Sequence, residues 1–202
     1  MIHRLPKLSY EFHELAGFLA PQEFRMNYLE IHKGYVENLN KTLNDHLCYQ
    51  QYSVADLMMQ IQHLPRCLRN DVKKFGGMHF NYSLFWKILK PNNESNPKGI
   101  LKKAISDTYN DIKILKKEFT NTALHIHATN AWCWLIVQNG KLKVIKTYGY
   151  ECPISKDMYP ILCLKLWRVS SLFAKRQKEY VNSFWNFINW EEVESRYVEA
   201  IY

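Results

Sequence analysis

The chain has 202 residues, of which 47% are hydrophobic and 14% aromatic, so its composition is that of a globular protein and excludes a disordered one. It contains no run of about eighteen apolar residues, which predicts the absence of a membrane span. The formal charge of +8 is moderate for this length and its cations are scattered, so an anionic partner is permitted but not required.

Five cysteines form an odd set without a CxxC pair or a short Cys/His cluster. This pattern argues against a disulfide framework and a structural zinc site, and it favours a reducing compartment. Cys133 and Cys163 lie in apolar runs and are predicted to be buried thiols. The opening stretch MIHRLPKLSYEF has neither the apolar core of a secretory signal nor the pattern of a transit peptide.

Helical periodicity dominates the first part of the chain. A first helix is predicted from Pro21 to about His46, with apolar side chains recurring at helical spacing. A second follows Ser53 and stops at Pro65, and the aromatic stretch FNYSLFWKILKP forms a third that Pro91 closes.

A polar loop, NNESNPKG, gives the best domain boundary, so we expect a helical domain over 1–92 and a second domain over 98–202. In the second domain one helix is predicted over 99–119. Two strands then meet at Asn139-Gly140, and YPILCLKLW forms a third strand before the chain returns to helix. The fold class is therefore α+β, with a helical hairpin followed by a mixed domain that holds a small three-stranded antiparallel sheet.

Histidine spacing gives only a weak indication of a metal site. His125 and His127 alternate on one face of a possible strand, and His79 lies near Tyr82 in the sequence. No Asp, Glu or Cys accompanies the pair at ligand spacing, so a hydrogen-bonded or exposed pair is favoured over a chelate. Glycine-rich phosphate loops and nucleophile elbows are absent from the sequence.

The order of elements and several motifs resemble the iron/manganese superoxide dismutase family. LPKLSYEFHELAGFLAP resembles the opening segment of that family, YVENLN its first long helix, and GGMHFNYSLFWKILKPN its second. AWCWLIVQNGKLKV resembles its tryptophan-bearing hairpin, and FWNFINWEEVESRY its C-terminal helices. The resemblance covers nearly the whole chain in the right order.

The resemblance implies a site for one redox metal, held in the family by three histidines and one aspartate. These four positions fall on Asn27, Tyr82, Lys165 and Val169, none of which is the family's ligand. An ammonium at the carboxylate's position is incompatible with a nearby metal ion unless it is deprotonated. The resemblance therefore predicts no metal, no cofactor and no catalytic residue in this chain.

Other positions of the family's site retain part of their pattern. Tyr35 falls where the family has its gateway tyrosine, and His32 matches a neighbouring histidine. We interpret Tyr35 as an aromatic residue of the core.

This pattern of changes predicts a non-catalytic structural protein in the mitochondrial matrix, a pseudoenzyme resembling the dismutase-like proteins of the mitochondrial ribosomal small subunit. Its partners would be other mitochondrial ribosomal proteins and the phosphates of ribosomal RNA. The candidate phosphate contacts are Lys141, Lys143, Lys146, Lys175, Arg176 and Lys178. An accessory subunit of another assembly, such as a respiratory complex, is the alternative, and a working dismutase with unusual ligands is disfavoured by Lys165.

A second dismutase-like chain is also predicted as a partner. In the family, the segment matching KLWRVSSL carries a glutamate that crosses the twofold axis of the dimer, and Arg168 takes that position here. Leu172 replaces a polar group beside it. A symmetric dimer would bring two arginines together, so a heterodimer with an acidic counterpart is favoured over a homodimer.

Overall fold

The computed structural model describes residues 2–91, 95–128, 130–167 and 174–202, with only the backbone of 174–176. The described chain is helical up to Lys87 and afterwards combines helices with one three-stranded sheet. This architecture confirms the predicted α+β class. The boundary between the two domains stays a prediction, and the largest hydrophobic cluster takes residues from both sides of it.

A first helical rod runs without interruption from Pro21 to Leu43. It consists of α1 (Pro21–Arg25), a π-helical segment (Met26–His32) and α2 (Lys33–Leu43). Pro21 suits the first turn because a backbone N–H there would have no partner within the helix. The predicted helix is confirmed, although it ends before His46 and its middle is widened into a π-helix, a feature that is frequent at functional sites.

The return rod (residues 54–87) begins after Ser53 as predicted, but the helical stretch that leads into the predicted third helix begins at Arg66 and not at Phe80. Ser53 caps α3 (Val54–Met59) through a reciprocal pair of hydrogen bonds with Asp56. Pro65 then ends this stretch and opens α4 (Arg66–Asp71), because a proline without an N–H fits a helix start. The helix continues through a second π-helical segment (Val72–Gly76) into α5 (Gly77–Lys87).

The two rods pack against each other through an aliphatic cluster. Burying each of these side chains stabilises the fold by about 1.5–3 kcal/mol. The buried members are Leu39, Leu43, Leu57, Ile61, Leu64, Leu68 and Val72.

The helix predicted over 99–119 is in fact two helices, α6 (Gly99–Tyr109) and α7 (Ile112–Leu124). Asn110 has a positive φ of 64°, which asparagine tolerates better than most residues. Asp111 then caps α7 by accepting a hydrogen bond from the Lys113 N–H at 2.6 Å. Local cap chemistry therefore overrides the continuous helical periodicity.

The sheet consists of β1 (Asn130–Gln138), β2 (Lys141–Tyr148) and β3 (Tyr159–Trp167), all antiparallel, with β1 in the centre. The predicted hairpin is confirmed, with φ of 51° at Asn139 and 72° at Gly140. In the register between β1 and β3, Trp132 lies opposite Lys165. This pairing carries Lys165 into the centre of the molecule.

Two glycines should respond in opposite ways to alanine. Gly140 has a φ of 72°, so Gly140→Ala should destabilise the protein by about 1 kcal/mol. Gly34 lies in α2 in open space, with no atom within 4 Å of the place that an added Cβ would take, so Gly34→Ala should stabilise it by about 0.5–1 kcal/mol. Urea unfolding of both variants measures the two signs, and a destabilised Gly34→Ala would contradict this description of α2.

The C-terminal helices close the molecule on the end of α5. They are α8 (Ala174–Ser183) and α9 (Trp190–Ile201). Between them the predicted helix is broken, because the backbone there bonds to the α5 end: Lys90 N–H donates to Phe187 O at 2.7 Å and Asn189 N–H to Ile88 O at 2.8 Å. Among the described helices, none has the length and apolar character needed to cross a membrane.

Candidate functional site

The structure brings together three of the four positions that correspond to the family's metal ligands. Asn27 comes from the first π-helical segment, Tyr82 from α5 and Lys165 from β3, and all three are buried. Tyr82 Oη lies 3.3 Å from Asn27 Oδ1, and Lys165 Nζ lies 5.9 Å from the centre of the Tyr82 ring. Val169 lies outside the described residues.

Asn27 is fully engaged in hydrogen bonds to protein groups. Its Nδ2 donates to Glu23 O at 2.8 Å, one helical turn earlier. Its Oδ1 accepts from Tyr82 Oη and, at 3.1 Å, from Trp167 Nε1. With two donors directed at it, this oxygen is already satisfied.

Lys165 is a buried amine with no carboxylate partner among the described side chains. Its Nζ donates to Asn130 Oδ1 and lies 4.8 Å from the centre of a Trp132 ring. Burial lowers the pKa of the Lys165 amine from 10.5 to about 7. The amine is therefore poised between its charged and neutral forms at physiological pH.

Next to this group lies a hydrogen-bonded pair of histidines. Trp86 Nε1 donates to His32 Nδ1 at 3.1 Å, and His32 Nε2 lies 2.8 Å from His79 Nδ1. Because the indole N–H can only donate, His32 Nδ1 must be the acceptor, so we assign its proton to Nε2 and the acceptor role to His79 Nδ1. Both imidazoles are therefore neutral in this arrangement.

The environment favours this neutral state. Burial, followed by the neighbouring His79, lowers the pKa of His32 well below its usual value. Burial, followed by His3, lowers the pKa of His79 to about 4. A proton on either ring would place a charge on a buried group, with no carboxylate among the described neighbours to pair with it.

Tyr35 lies at the edge of this group and is half-buried. Its ring stacks on that of Tyr82 with centroids 6.2 Å apart. Burial, followed by the nearby Tyr150, raises the pKa of Tyr35. Tyr35 is thus packed against the core as predicted, with its ring at the border between the core and the surface.

The donor set of this centre does not fit the redox metal of the family. That ion needs neutral imidazoles and a carboxylate, whereas the three described positions offer an engaged amide oxygen, a phenol that donates and an amine that donates. The two adjacent imidazoles are bonded to each other and to Trp86. Within the described residues, no group of three or more His, Cys, Asp or Glu side chains is arranged to hold a metal ion.

His125 and His127 do not lie in the possible strand, but both are exposed and His125 is hydrogen-bonded, which agrees with the interpretation favoured over a chelate. His125 is the C-terminal cap of α7, where its Nδ1 lies 2.7 Å from Asn121 O, and His127 follows in a loop. The helix extends past the predicted end because its apolar face continues through Ala123, which is buried. The two histidines do not share the face that strand alternation would require.

The predicted phosphate contacts lie on two separate elements. Lys141, Lys143 and Lys146 are exposed on β2, and Lys178 is exposed on α8. The side chains of Lys175 and Arg176 lie outside the described ones, as do the predicted interface residues Arg168 and Leu172. The role of all these residues stays a prediction.

Asn130 and Trp167 belong to the centre although sequence reasoning did not select them. Asn130 pairs with Trp167 across β1 and β3, and Trp132 pairs with Lys165 two positions away. Because side chains alternate along a strand, these four residues share one face of the sheet. The spacing Asn-x-Trp and Lys-x-Trp could have revealed this once the register was known.

Comparison with known protein families identifies the class of protein to which this fold and this buried centre belong. Residues 2–90 match the α-hairpin domain of the iron/manganese superoxide dismutases, and residues 97–196 match the C-terminal domain of the same family. The chain belongs to the iron/manganese superoxide dismutase family.

Individual relatives are similar over their entire length. The chain is 33% identical to the manganese superoxide dismutases of Listeria innocua and Listeria monocytogenes, with 99% of this chain and 100% of each relative aligned. It is 32% identical, with the same coverage, to the superoxide dismutase [Mn/Fe] 2 of Staphylococcus aureus.

These relatives overturn the expected function. The relatives are named as superoxide dismutases. The prediction of a non-catalytic component of the mitochondrial ribosomal small subunit is therefore wrong, and so is the prediction of a pseudoenzyme. The alternative of a respiratory-chain accessory subunit is wrong for the same reason. The expectation relied on the changed ligand positions and the basic charge. A positive surface also suits an anionic substrate, so the charge did not discriminate between these functions.

Proposed function

We propose that this chain serves superoxide dismutation, the reaction for which its relatives are named, as one subunit of a two-chain dismutase. The observation that carries the proposal is the similarity to manganese superoxide dismutases over 99% of the chain. A similarity that spans both domains supports the function of the whole protein more strongly than a shared domain would.

The second subunit enters the proposal because of the chemistry of the centre. A redox metal supplies the electron transfer in this reaction. Asn27, Tyr82 and Lys165 do not form a donor set for it, so the proposal assigns the metal to a second dismutase chain. In the sequence, Arg168 stands at the position of a family glutamate that crosses the dimer axis, and this favours a partner that presents a carboxylate there.

This chain's own contribution to the reaction is positive charge. Its net charge of +8 attracts an anion such as superoxide, and the exposed lysines of β2 place part of that charge in solvent. Electrostatic attraction of this kind raises association rates and weakens with ionic strength, because salt screens charges beyond about 10 Å at 0.1 M. The location of such a dimer in the mitochondrial matrix stays a prediction.

The test is to express the tagged chain together with a dismutase from the same source and to purify it through the tag. We expect a heterodimer that contains a redox metal and dismutates superoxide, with a rate that falls as salt is added. If no dismutase chain copurifies and the chain by itself neither binds a redox metal nor dismutates superoxide, the proposal is wrong.

An informative intermediate result would be metal and activity in the chain alone. It would retain superoxide as the substrate and remove the second subunit from the proposal.

A matched pair of variants checks the role of charge. Lys143→Gln should leave metal binding and folding unchanged and should lower the rate of dismutation at low salt. Lys143→Arg keeps the charge and should leave that rate unchanged.

A further inference from the structure

A cavity of about 550 Å³ opens between the beginning of the first helical rod and α8. Phe18 and Glu23 form one wall, and Glu179 and Tyr180 on α8 form the other. Asn27 and Trp167 also line it, which places the cavity against the centre described above. A volume of this size can hold a small organic molecule.

Three aromatic rings around this cavity are held in fixed positions. Phe18 and Tyr180 stack with centroids 4.7 Å apart, and Trp167 meets Tyr180 at 5.3 Å with a tilt of 59°. Tyr180 Oη donates to Lys165 O at 2.9 Å, and Trp167 Nε1 donates to Asn27. The polar ends of both rings are therefore bonded to the protein. Phe18 is 6% exposed and also stacks on Phe187, so its faces are covered by neighbouring rings, and Trp167 and Tyr180 are the partly exposed aromatic residues of the lining.

The two formal charges on the described part of the cavity lining are opposite in sign to the net charge of the chain. Both are carboxylates, Glu23 and Glu179, whereas the chain as a whole carries +8. Neither carboxylate forms an ion pair with a described side chain. Glu23 lies close enough to Tyr180 to contribute, after burial, Cys163 and Tyr82, to the raised pKa of that phenol.

We propose that this cavity binds an organic ammonium ion, with the cationic group held by Glu23 and Glu179 and by the partly exposed rings of Trp167 and Tyr180. Aromatic faces attract cations through their quadrupole, and the attraction is worth about 0.5–2 kcal/mol for each favourable ring. The apolar side chains of Leu19 and Met26 in the lining suit a ligand whose ammonium is attached to carbon.

Other ligand classes fit less well. An anion would meet two carboxylates, and an uncharged apolar molecule would reduce the hydration of those carboxylates without pairing them. The inference rests on the cavity alone and is independent of the proposed dismutase function.

The experiment titrates the full chain with choline and, in parallel, with dimethylbutanol, its uncharged carbon isostere, while following tryptophan fluorescence and heat. We expect saturable binding of choline at one site per chain and binding of dimethylbutanol that is weaker by about tenfold or more. Absence of saturable choline binding, or equal affinity for the two probes, would overturn the proposal.

Variants locate the site. Glu23→Gln and Glu179→Gln should each weaken choline binding about threefold, and the double variant about tenfold, as expected for partly exposed ion pairs. Glu30→Gln removes an equally exposed carboxylate that does not line the cavity, and it should bind choline as the unaltered chain does. Circular dichroism confirms that the double variant is folded, and unchanged choline affinity in that variant would refute the assignment.

Discussion

Replacing Lys165 by methionine should remove a large pH dependence from the stability of the protein. The amine is 2% exposed, and burial lowers its pKa from 10.5 to about 7. Between these two values the unfolded chain binds the proton and the folded chain does not. Above pH 10.5 the neutral amine costs the folded state nothing, and the folded protein loses stability as the pH falls from 10.5 to about 7, by about 5 kcal/mol in total at about 1.4 kcal/mol per pH unit.

Other groups titrate in the same pH range, so the quantity to measure is the difference in unfolding free energy between the variant and the unaltered protein. Burial raises the pKa of Cys133 and Cys163, which lowers the stability of the folded state at alkaline pH. These thiols are common to the protein and its variant and cancel in the comparison. Urea unfolding of both proteins from pH 6 to 10 should show Lys165→Met gaining relative stability as the pH falls.

Lys143→Met is the matched control, because it removes an exposed lysine from the neighbouring strand β2. Its stability should stay parallel to that of the unaltered protein at every pH. A difference between Lys165→Met and the unaltered protein that does not change with pH would mean that the amine is paired or hydrated in the folded state.

Secondary structure was predictable where local chemistry agreed with the fold. Pro21, Ser53 and the Asn139-Gly140 turn act within a few residues of themselves, and the structure confirms the elements that they start or connect. The break between α8 and α9 was not predictable because it depends on long-range backbone bonds to the end of α5, and two other failures came where two local signals competed. Pro65 both ends a helix and begins the next, and Asn110 breaks a periodic pattern that continues on either side of it.

The composition of the centre was only partly predictable. Only the resemblance of the motifs to those of the family placed Asn27, Tyr82 and Lys165 together in one site. Periodicity predicts helices and strands but does not show which distant residues meet. The acceptor for Lys165 is Asn130, which becomes its neighbour only through the pairing of β1 with β3. Strand register is a property of the assembled sheet, so one sequence read by itself did not reveal this contact.

The pairing of His32 with His79 was likewise not predicted, since the residues lie 47 positions apart on different rods. Both are on helical faces that turn toward the same core, and Trp86 fixes the ring of His32. The sequence signal was the spacing of His79 and Trp86 along α5, seven residues and hence about two turns apart.

Acid should destabilise the protein well before its carboxylates are neutralised, because of these histidines. The folded protein holds His79 with a pKa of about 4 and His32 with a pKa well below 6.5, whereas both gain protons near pH 6.5 when the chain unfolds. Their contribution is complete above pH 6.5 and is lost as the pH falls toward 4. For His79 alone the loss amounts to about 3 kcal/mol, at about 1.4 kcal/mol per pH unit.

The test compares His79→Asn with the unaltered protein by urea unfolding between pH 7 and 5. Asparagine retains an oxygen near the position of His79 Nδ1, so it can still accept the His32 Nε2–H while it no longer titrates. We expect the variant to lose stability with a slope that is smaller by about one proton, or about 1.4 kcal/mol per pH unit. His63→Asn, which replaces an exposed histidine, should reproduce the slope of the unaltered protein. Identical slopes for His79→Asn and His63→Asn would show that the buried pair accepts a proton without penalty, contrary to the neutral, Trp86-oriented pair assigned here.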